Sequence, residues 1–334
     1  MSLASTVINI DQHDKIFYPG DEVTGTVLLE VTRPLEARSI VLSIRGKSKT
    51  ANINLFDNSC VKYHFKKSQL AWVPKQGETI IPAGEHLFNF AITLPADCLP
   101  TFHGLFGKND YKIKMVIDRP WKSNIKAEKE FLVTKKLDLP MRMSSSNWFF
   151  KVDLQSGVFF SNGPVTMKVS ISTLVFLPGQ TVDLHFQVAN NSSTEISRIF
   201  AKLYQRTHYH FRNQHTPCKE FNPDGCPLSR FQQTTDREKL RNAEKMEVSL
   251  APYSEESYIM PFTFPENIVT PSFYSGLMLH GYVMEFGFRS KGSIDRAMMC
   301  TFYMGEMEEE HSEDCPNRHG KEDAPPTYEE ILRD

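Results

Sequence analysis

The residues of this sequence that are best suited to chemistry are histidines and cysteines within one short region. His208 and His210 stand two positions apart, and Cys218 and Cys226 follow with seven residues between them. Imidazole and thiolate groups are good ligands for Zn²⁺, but zinc knuckles usually separate their cysteines by about two to four residues. We therefore predict a polar strand followed by an irregular loop, with no metal and no cofactor. A zinc site at these residues is the alternative.

A proline-tyrosine motif near the C-terminal end has a more specific chemistry. The sequence PPTY, residues 325–328, matches the pattern PPxY. Proline favours the polyproline II conformation, so a proline segment loses little conformational entropy when it docks in the aromatic groove of a WW domain. The tyrosine fills an adjoining pocket. The sequence therefore predicts that Pro325, Pro326 and Tyr328 bind a WW domain. An accidental match in a solvated tail is the alternative.

Basic residues concentrate in two segments and indicate a third kind of contact. Lys62, Lys66 and Lys67 lie in the first segment, and Lys112 and Lys114 lie in the second. If they share one face, an anionic membrane surface would attract them by about 1 kcal/mol per residue. Ordinary lysines on the solvated side of strands are the alternative. The formal net charge is −2, so we expect no nucleic-acid partner.

No arrangement of residues in the sequence indicates catalysis. The chain contains no G-x-S-x-G, no Walker loop, no G-x-G-x-x-G and no HExxH. The chain has 11 histidines and many serines and aspartates, so Ser-His-Asp combinations can be chosen from the sequence by chance. Only the geometry of the folded chain would identify a catalytic triad. We predict that the chain is not an enzyme.

The elements that must position these residues occur twice in the chain. FYPGDEVTGTVLLEV, residues 17–31, and FLPGQTVDLHFQVAN, residues 176–190, align with a constant shift of 159 positions. Each copy has a Pro-Gly turn before a run in which apolar and polar residues alternate, which is typical of a half-buried strand. Further along the shift becomes 170, so the second copy has 11 additional residues between 205 and 250. The pattern predicts a duplicated domain.

Each copy contains several short strands broken by proline and glycine, which predicts an all-β chain of two antiparallel sandwiches. We predict a sandwich over residues 1–133, a linker over 134–147, a second sandwich over 148–305 and an acidic, disordered tail over 306–334. The tail has 11 acidic and 3 basic residues, and its few apolar residues cannot offset the entropy of ordering. Residues 235–248 are predicted as strand or loop rather than helix, because they precede a duplicated strand.

The termini and the cysteines favour a cytoplasmic protein. The N-terminal residues lack a basic segment followed by an apolar one, and no run of 18 apolar residues occurs, so we expect neither a signal peptide nor a transmembrane helix. The six cysteines have no regular spacing, which favours reduced thiols. An extracellular pair of immunoglobulin-like domains, with Cys60 bonded to Cys98, is the alternative.

These features together resemble the α-arrestins, also called arrestin domain-containing proteins. The resemblance rests on the duplicated Pro-Gly strands and the PPTY sequence, and it covers residues 5–305 and the tail. It implies two arrestin-type β-sandwiches in an adaptor that recruits WW-domain HECT-type ubiquitin ligases to transmembrane receptors or transporters. Ubiquitination and endocytic or endosomal sorting of the cargo would follow, with the protein peripheral at the plasma membrane and endosomes.

The resemblance also assigns roles to residues of the tail. It implies ligase binding by Pro325, Pro326 and Tyr328, with Thr327 as the variable position. Many α-arrestins carry two PPxY motifs, whereas this chain has one, which lowers the avidity expected for tandem WW domains. A scaffold or sorting-coat subunit that acts independently of ubiquitin ligases is the alternative function on the same fold.

Overall fold

The structure, a computed structural model, describes residues 3–12, 16–51, 59–74, 79–157, 162–211, 226–229, 232–267 and 270–308. Strands account for most of these residues, and the one helix among them, α1 (Arg142–Ser145), has four residues. The predicted all-β class is confirmed. Nowhere in the described ranges is there a helix with the length and hydropathy needed to cross a membrane.

The first half of the chain forms an antiparallel sandwich. Its strands in the described residues are β1 (Ala4–Ile10), β2 (Glu22–Val31), β3 (Leu35–Glu36), β4 (Ser39–Ala51), β5 (Ser59–Trp72), β6 (Ile80–Ile81), β7 (Gly84–Thr93), β8 (Phe102–His103), β9 (Gly107–Asp118) and β10 (Ile125–Phe131). One sheet has the order β1-β2-β7, and the other has the order β10-β9-β4-β5, with β8 paired to β9. The short strands β3 and β6 form a separate pair.

The second half repeats this architecture. Its described strands are β11 (Trp148–Gln155), β12 (Pro164–Ile171), β13 (Val175–Phe176), β14 (Thr181–Asn190), β15 (Ile196–His210), β16 (Gln233–Leu250), β17 (Ser254–Thr263), β18 (Phe273–Tyr274), β19 (Met278–Ser290) and β20 (Asp295–Met304). One sheet has the order β11-β12-β14-β17, and the other has the order β13-β20-β19-β15-β16, with β18 paired to β19. Strand β16 confirms that residues 235–248 are not helical.

The duplication inferred from the sequence is present strand by strand. Strand β14 begins and ends 159 positions after β2 (181 minus 22, 190 minus 31), and β17 begins and ends 170 positions after β7 (254 minus 84, 263 minus 93). The inner face of β2 buries alternate residues such as Val27 and Leu29, and β14 does the same with Leu184 and Phe186. Because side chains alternate between faces, this pattern requires a sheet with one face in a core.

The Pro-Gly turns that precede these two strands are also the same. The glycine of each turn has a positive φ, 86° in the first copy and 77° in the second, which glycine adopts without steric cost. The backbone N–H of Tyr18 donates to Oδ2 of Asp21 at 3.0 Å, and that of Leu177 donates to Oε1 of Gln180 at 2.9 Å. Turn and side-chain hydrogen bond together set where each strand begins.

The segment between the sandwiches packs against the second domain. Leu137 is buried and forms a parallel bridge with Met307, and its N–H donates to the carbonyl of Glu306 at 2.7 Å. Farther along, the N–H of Leu174 donates to the carbonyl of Met143 at 2.8 Å. Residues 306–308, which the sequence analysis places at the start of the tail, therefore pair with the segment between the domains.

We expect Gly25 to be intolerant of a side chain. A Cβ at this position would overlap the backbone oxygen of Asn9 on β1 and would lie 2.6 Å from Cζ of Phe90 on β7. Because backbone atoms of a paired strand cannot easily move, Gly25→Ala should lower the free energy of unfolding by about 1–3 kcal/mol. Urea unfolding followed by tryptophan fluorescence measures this.

A matched control for that substitution lies next to it on the same strand. Thr24 is half-buried on the other face of β2, so Thr24→Ser should change the stability by less than about 0.5 kcal/mol. Equal stabilities of Gly25→Ala and Thr24→Ser would show that the close approach of β1 to β2 is not a constraint.

Candidate functional site

The two domains meet where the ends of β4, β9, β15 and β19 come together. The hydroxyl of Thr50, near the end of β4, donates a 2.6 Å hydrogen bond to the backbone carbonyl of His210, at the end of β15. A Cβ at Gly107 on β9 would lie 2.7 Å from the sulfur of Met278 on β19, so glycine permits this close approach. Long strands from both sandwiches thus form one continuous contact.

An apolar cluster that is separate from the two cores fills this contact, and we call it the boundary cluster. Its buried members are Phe102, Tyr209, Phe211, Phe273, Leu277 and Met278, with the half-buried Phe106 at its edge. The rings of Phe102 and Phe273 meet edge to face with centroids 5.4 Å apart, and Phe106 lies 5.7 Å from Tyr209. Such aromatic pairs contribute about 0.5–1.5 kcal/mol beyond the area they bury. The cluster therefore joins the domains by apolar packing.

A buried histidine completes the boundary cluster. The ring of His280 on β19 lies 4.6 Å from that of Phe102 and 5.4 Å from that of Phe273, and its Nδ1 is 2.9 Å from the hydroxyl of Thr207. Burial away from water disfavours the charged imidazole and lowers the pKa of His280 to about 3. The ring is therefore neutral at neutral pH.

The structure brings together three of the four residues that the sequence analysis considered as zinc ligands. His208 and His210 lie on one face of β15 with ring centroids 4.8 Å apart, and Cys226 lies beside them. One ligand atom from each of the three lies within 4.8 Å of the others. Both histidines are buried, whereas Cys226 is half-buried. Cys218 lies outside the described residues.

Three of the five lysines that were predicted to bind anions share the outer face of one sheet. Lys66 on β5 stands opposite Arg45 on β4, and Arg45 stands opposite Lys112 on β9. Lys114 lies two residues further along β9, on the same face as Lys112. This face combines several positive charges.

The other two lysines project from the opposite side of that sheet. Lys62 and Lys67 stand opposite Ser48 and Ile44, which belong to the buried face of β4. The Nζ atom of Lys67 donates to the backbone carbonyl of Thr93 at 2.9 Å, across the sandwich on β7. The five lysines therefore do not form one surface.

Two of the outer lysines are already paired with carboxylates of β10. Nζ of Lys112 lies 2.7 Å from Glu130, and Nζ of Lys114 lies 3.0 Å from Glu128. The hydrogen bond from Lys112 lowers the pKa of Glu130, and that from Lys114 lowers the pKa of Glu128. An anionic ligand would have to compete with these two glutamates.

The PPxY residues, Pro325, Pro326 and Tyr328, lie outside the described residues. Of the six cysteines, four fall within the described ranges, and Cys60 and Cys98 do not form the disulfide that an extracellular protein would use.

Comparison with known families accounts for both sandwiches. The family described as arrestin (or S-antigen), N-terminal domain, matches residues 6–140, and arrestin (or S-antigen), C-terminal domain, matches residues 161–302. The chain belongs to the arrestin family. The first match begins within β1 and contains β2–β10, and the second contains β12–β19, so the tandem arrestin-type sandwiches predicted from the sequence are confirmed.

Individual relatives place the chain among the α-arrestins. It is 27% identical over 214 residues to arrestin domain-containing protein 17 of Caenorhabditis elegans, covering 58% of this chain and 50% of that protein. It is 27% identical over 217 residues to human arrestin domain-containing protein 1, covering 59% and 46%. Mouse arrestin domain-containing protein 4 is 25% identical over 198 residues, covering 55% and 48%. The chain thus aligns with about half the length of these relatives.

Sequence reasoning missed the boundary cluster of this arrestin-type body, although a signal was present. Phe102 and Phe273 follow equivalent Pro-Thr and Pro-Ser pairs in the two copies. Two aromatic residues at equivalent positions outside the main alternating runs indicate apolar packing outside the sandwich cores, but their contact with each other is evident only in the structure. Thr235 and Gly276 form hydrogen bonds with His208 and His210, but nothing in the sequence pattern indicates these contacts.

We expect the body to become less stable as the pH is lowered from 6.5, because of His280. Its pKa is lower in the folded chain than the ordinary value of 6.5, so below that pH the unfolded chain gains a proton that the folded chain does not. The free energy of unfolding should therefore decrease by up to about 1.4 kcal/mol per pH unit between pH 6.5 and 4. Urea unfolding at several pH values measures the slope.

The comparison that isolates this histidine is His280→Asn, which retains a polar group beside Thr207. His64 also has a pKa lowered by burial, so both proteins keep some slope from that residue. The difference between their slopes reports His280 alone. Parallel stability curves would mean that His280 does not resist protonation in the folded chain.

Proposed function

We propose that the chain is a non-enzymatic α-arrestin adaptor whose body contacts membrane-protein cargo and whose PPxY motif recruits a WW-domain HECT-type ubiquitin ligase. Membership of the arrestin family supports the adaptor body. The observation that carries the ligase partner is the motif at Pro325, Pro326 and Tyr328, which follows an arrestin-type body. The proposed location is cytoplasmic, at the plasma membrane and endosomes.

The mechanism is an increase in effective concentration. A ligase that is held by the tail meets the lysines of a cargo held by the body far more often than it would by free collision. Sixteen residues separate Glu308, at the end of the described body, from Pro325. Fully extended, they limit the distance between body and motif to about 60 Å. Ubiquitination would therefore be confined to cargo lysines close to the body.

Contact with an anionic membrane remains a prediction of the same model of function. The outer face that carries Lys66, Lys112 and Lys114 is the surface that would make it, and Arg45, which lies 3.8 Å from Glu128, is a fourth positive charge there. Because Lys112 and Lys114 are paired with glutamates, we expect membrane contact to contribute less to binding than recognition of the cargo.

We expect Tyr328→Ala to abolish most binding to WW domains. The tyrosine is the one side chain of the motif that fills its own pocket, so its loss should cost about 2 kcal/mol, or roughly thirtyfold in Kd. Titration of the full chain with an isolated WW domain, followed by fluorescence anisotropy, measures the change. Thr327→Ala alters the variable position of the same motif and should leave the affinity within about twofold.

A second experiment distinguishes the proposed adaptor from a scaffold or sorting-coat subunit. Cells that express the Tyr328→Ala variant should fail to ubiquitinate the cargo captured with the wild-type chain, although the variant still captures it. Unchanged ubiquitination and sorting of that cargo would contradict the ligase mechanism and favour the scaffold.

A further inference from the structure

At the end of β15, two buried imidazoles lie beside a half-buried thiol, and the adaptor function does not use these three groups. We propose that His208, His210 and Cys226 bind a divalent transition metal ion, and that this ion is Zn²⁺. The proposal is independent of cargo and ligase, and it reverses the preference of the sequence analysis, which favoured a polar strand without a metal. Cys218 lies outside the described residues and is not assigned to the site.

The distances between the three residues suit a metal ion. Nε2 of His210 and Sγ of Cys226 are 3.9 Å apart, and the ligand atoms of all three residues lie within 4.8 Å of one another. A tetrahedral zinc ion, with Zn–N of about 2.0–2.1 Å and Zn–S of about 2.3 Å, separates its ligand atoms by about 3.3–3.6 Å. Side-chain movements of about 1 Å would bring the three atoms to these distances.

A second layer of hydrogen bonds orients both imidazoles towards the same point. Nδ1 of His210 lies 3.1 Å from the backbone carbonyl of Gly276, and a carbonyl can only accept, so Nδ1 carries the proton and Nε2 has the lone pair. Nδ1 of His208 lies 2.8 Å from the hydroxyl of Thr235, and when that hydroxyl accepts the Nδ1 proton, Nε2 has the lone pair that a metal needs. Metal-binding histidines are held in this way by their other ring nitrogen.

Burial and ligand chemistry select the metal. His208 and His210 are 1% and 2% exposed, so an ion between them would be shielded from water. Two imidazoles and one thiolate favour zinc over the hard cations Mg²⁺ and Ca²⁺, which prefer oxygen ligands. Three protein ligands leave the fourth tetrahedral position for water or another donor.

The position of the site indicates a structural role. Cys226 belongs to residues 226–229, which rest against the ends of β15 and β16, where the N–H of Phe211 donates to the carbonyl of Gln232 at 2.8 Å. On the opposite face of β15, Tyr209 packs in the boundary cluster against Phe106. An ion at His208 and His210 would therefore fix the strand end on which the contact between the domains depends.

The simpler alternative for the same geometry is a hydrogen bond from the thiol of Cys226 to Nε2 of His210, at the observed 3.9 Å. That arrangement needs no ion, and it makes a different prediction. Zinc would then bind no more tightly to the wild-type chain than to a chain without this thiol.

The test is a titration of the purified, chelator-treated full chain with Co²⁺ and then with Zn²⁺. We expect one Co²⁺ per chain with the visible bands of a tetrahedral ion and a thiolate-to-cobalt charge-transfer band, both removed by one equivalent of Zn²⁺. Cys226→Ser should lose the charge-transfer band, and His210→Gln should lose tetrahedral binding. Thr235→Val, which alters a positioning residue, should weaken zinc affinity by about 10–100-fold.

Cys60 provides the matched control, because it is also a half-buried cysteine and it is not among the three proposed ligands. Cys60→Ser should keep the stoichiometry, the spectrum and the affinity of the wild type. Should Cys226→Ser prove unstable, the rate of alkylation of Cys226 in the wild-type chain gives the same answer without a variant. Zinc should slow that alkylation at least tenfold and have a much smaller effect on Cys60, which packs against the boundary cluster but is not a ligand. Equal alkylation rates with and without zinc, or an unchanged charge-transfer band in Cys226→Ser, would overturn the proposal.

Discussion

Strand β15 is the element on which the arrangement at the domain boundary depends, because its two faces serve different contacts. Side chains on a strand alternate between faces, so neighbouring residues point in opposite directions. At the end of β15, Thr207 and Tyr209 face His280 and Phe106 of the boundary cluster. His208 and His210 face the other way, towards Thr235, Gly276 and Cys226. One short segment therefore joins the first domain and the histidine-cysteine cluster.

The fold itself follows from sequence patterns that are local and repeated. A Pro-Gly turn and an alternating run are sufficient to predict β2 and β14, because the positive φ of the glycine and the two-residue period are properties of single segments. The shift from 159 to 170 positions also predicts where the second domain is longer. These inferences need no knowledge of which strands are neighbours in space.

The sites were harder to predict, because they depend on contacts between distant residues. Lys62 and Lys66 are four residues apart and would share a face of a regular strand. A β-bulge lies between them, since Phe65 pairs with Gly46 while Tyr63 pairs with Lys47 and His64 is passed over. One extra residue moves the side chains that follow to the other face. The cluster of His208, His210 and Cys226 likewise arises from the folded path of the chain rather than from sequence spacing.

The α-arrestin body, whose two domains are joined at an apolar boundary, is distinct from the tail that carries the motif. In the proposed arrangement, the ion site and the domain contact act as one unit at the end of β15. Hydrogen exchange of the full chain, with zinc and with a chelator, tests this most directly. We expect slower exchange with zinc over residues 207–211, 232–236 and 277–280, and no change in β2 or β11. Identical exchange at the end of β15 in the two conditions would contradict it.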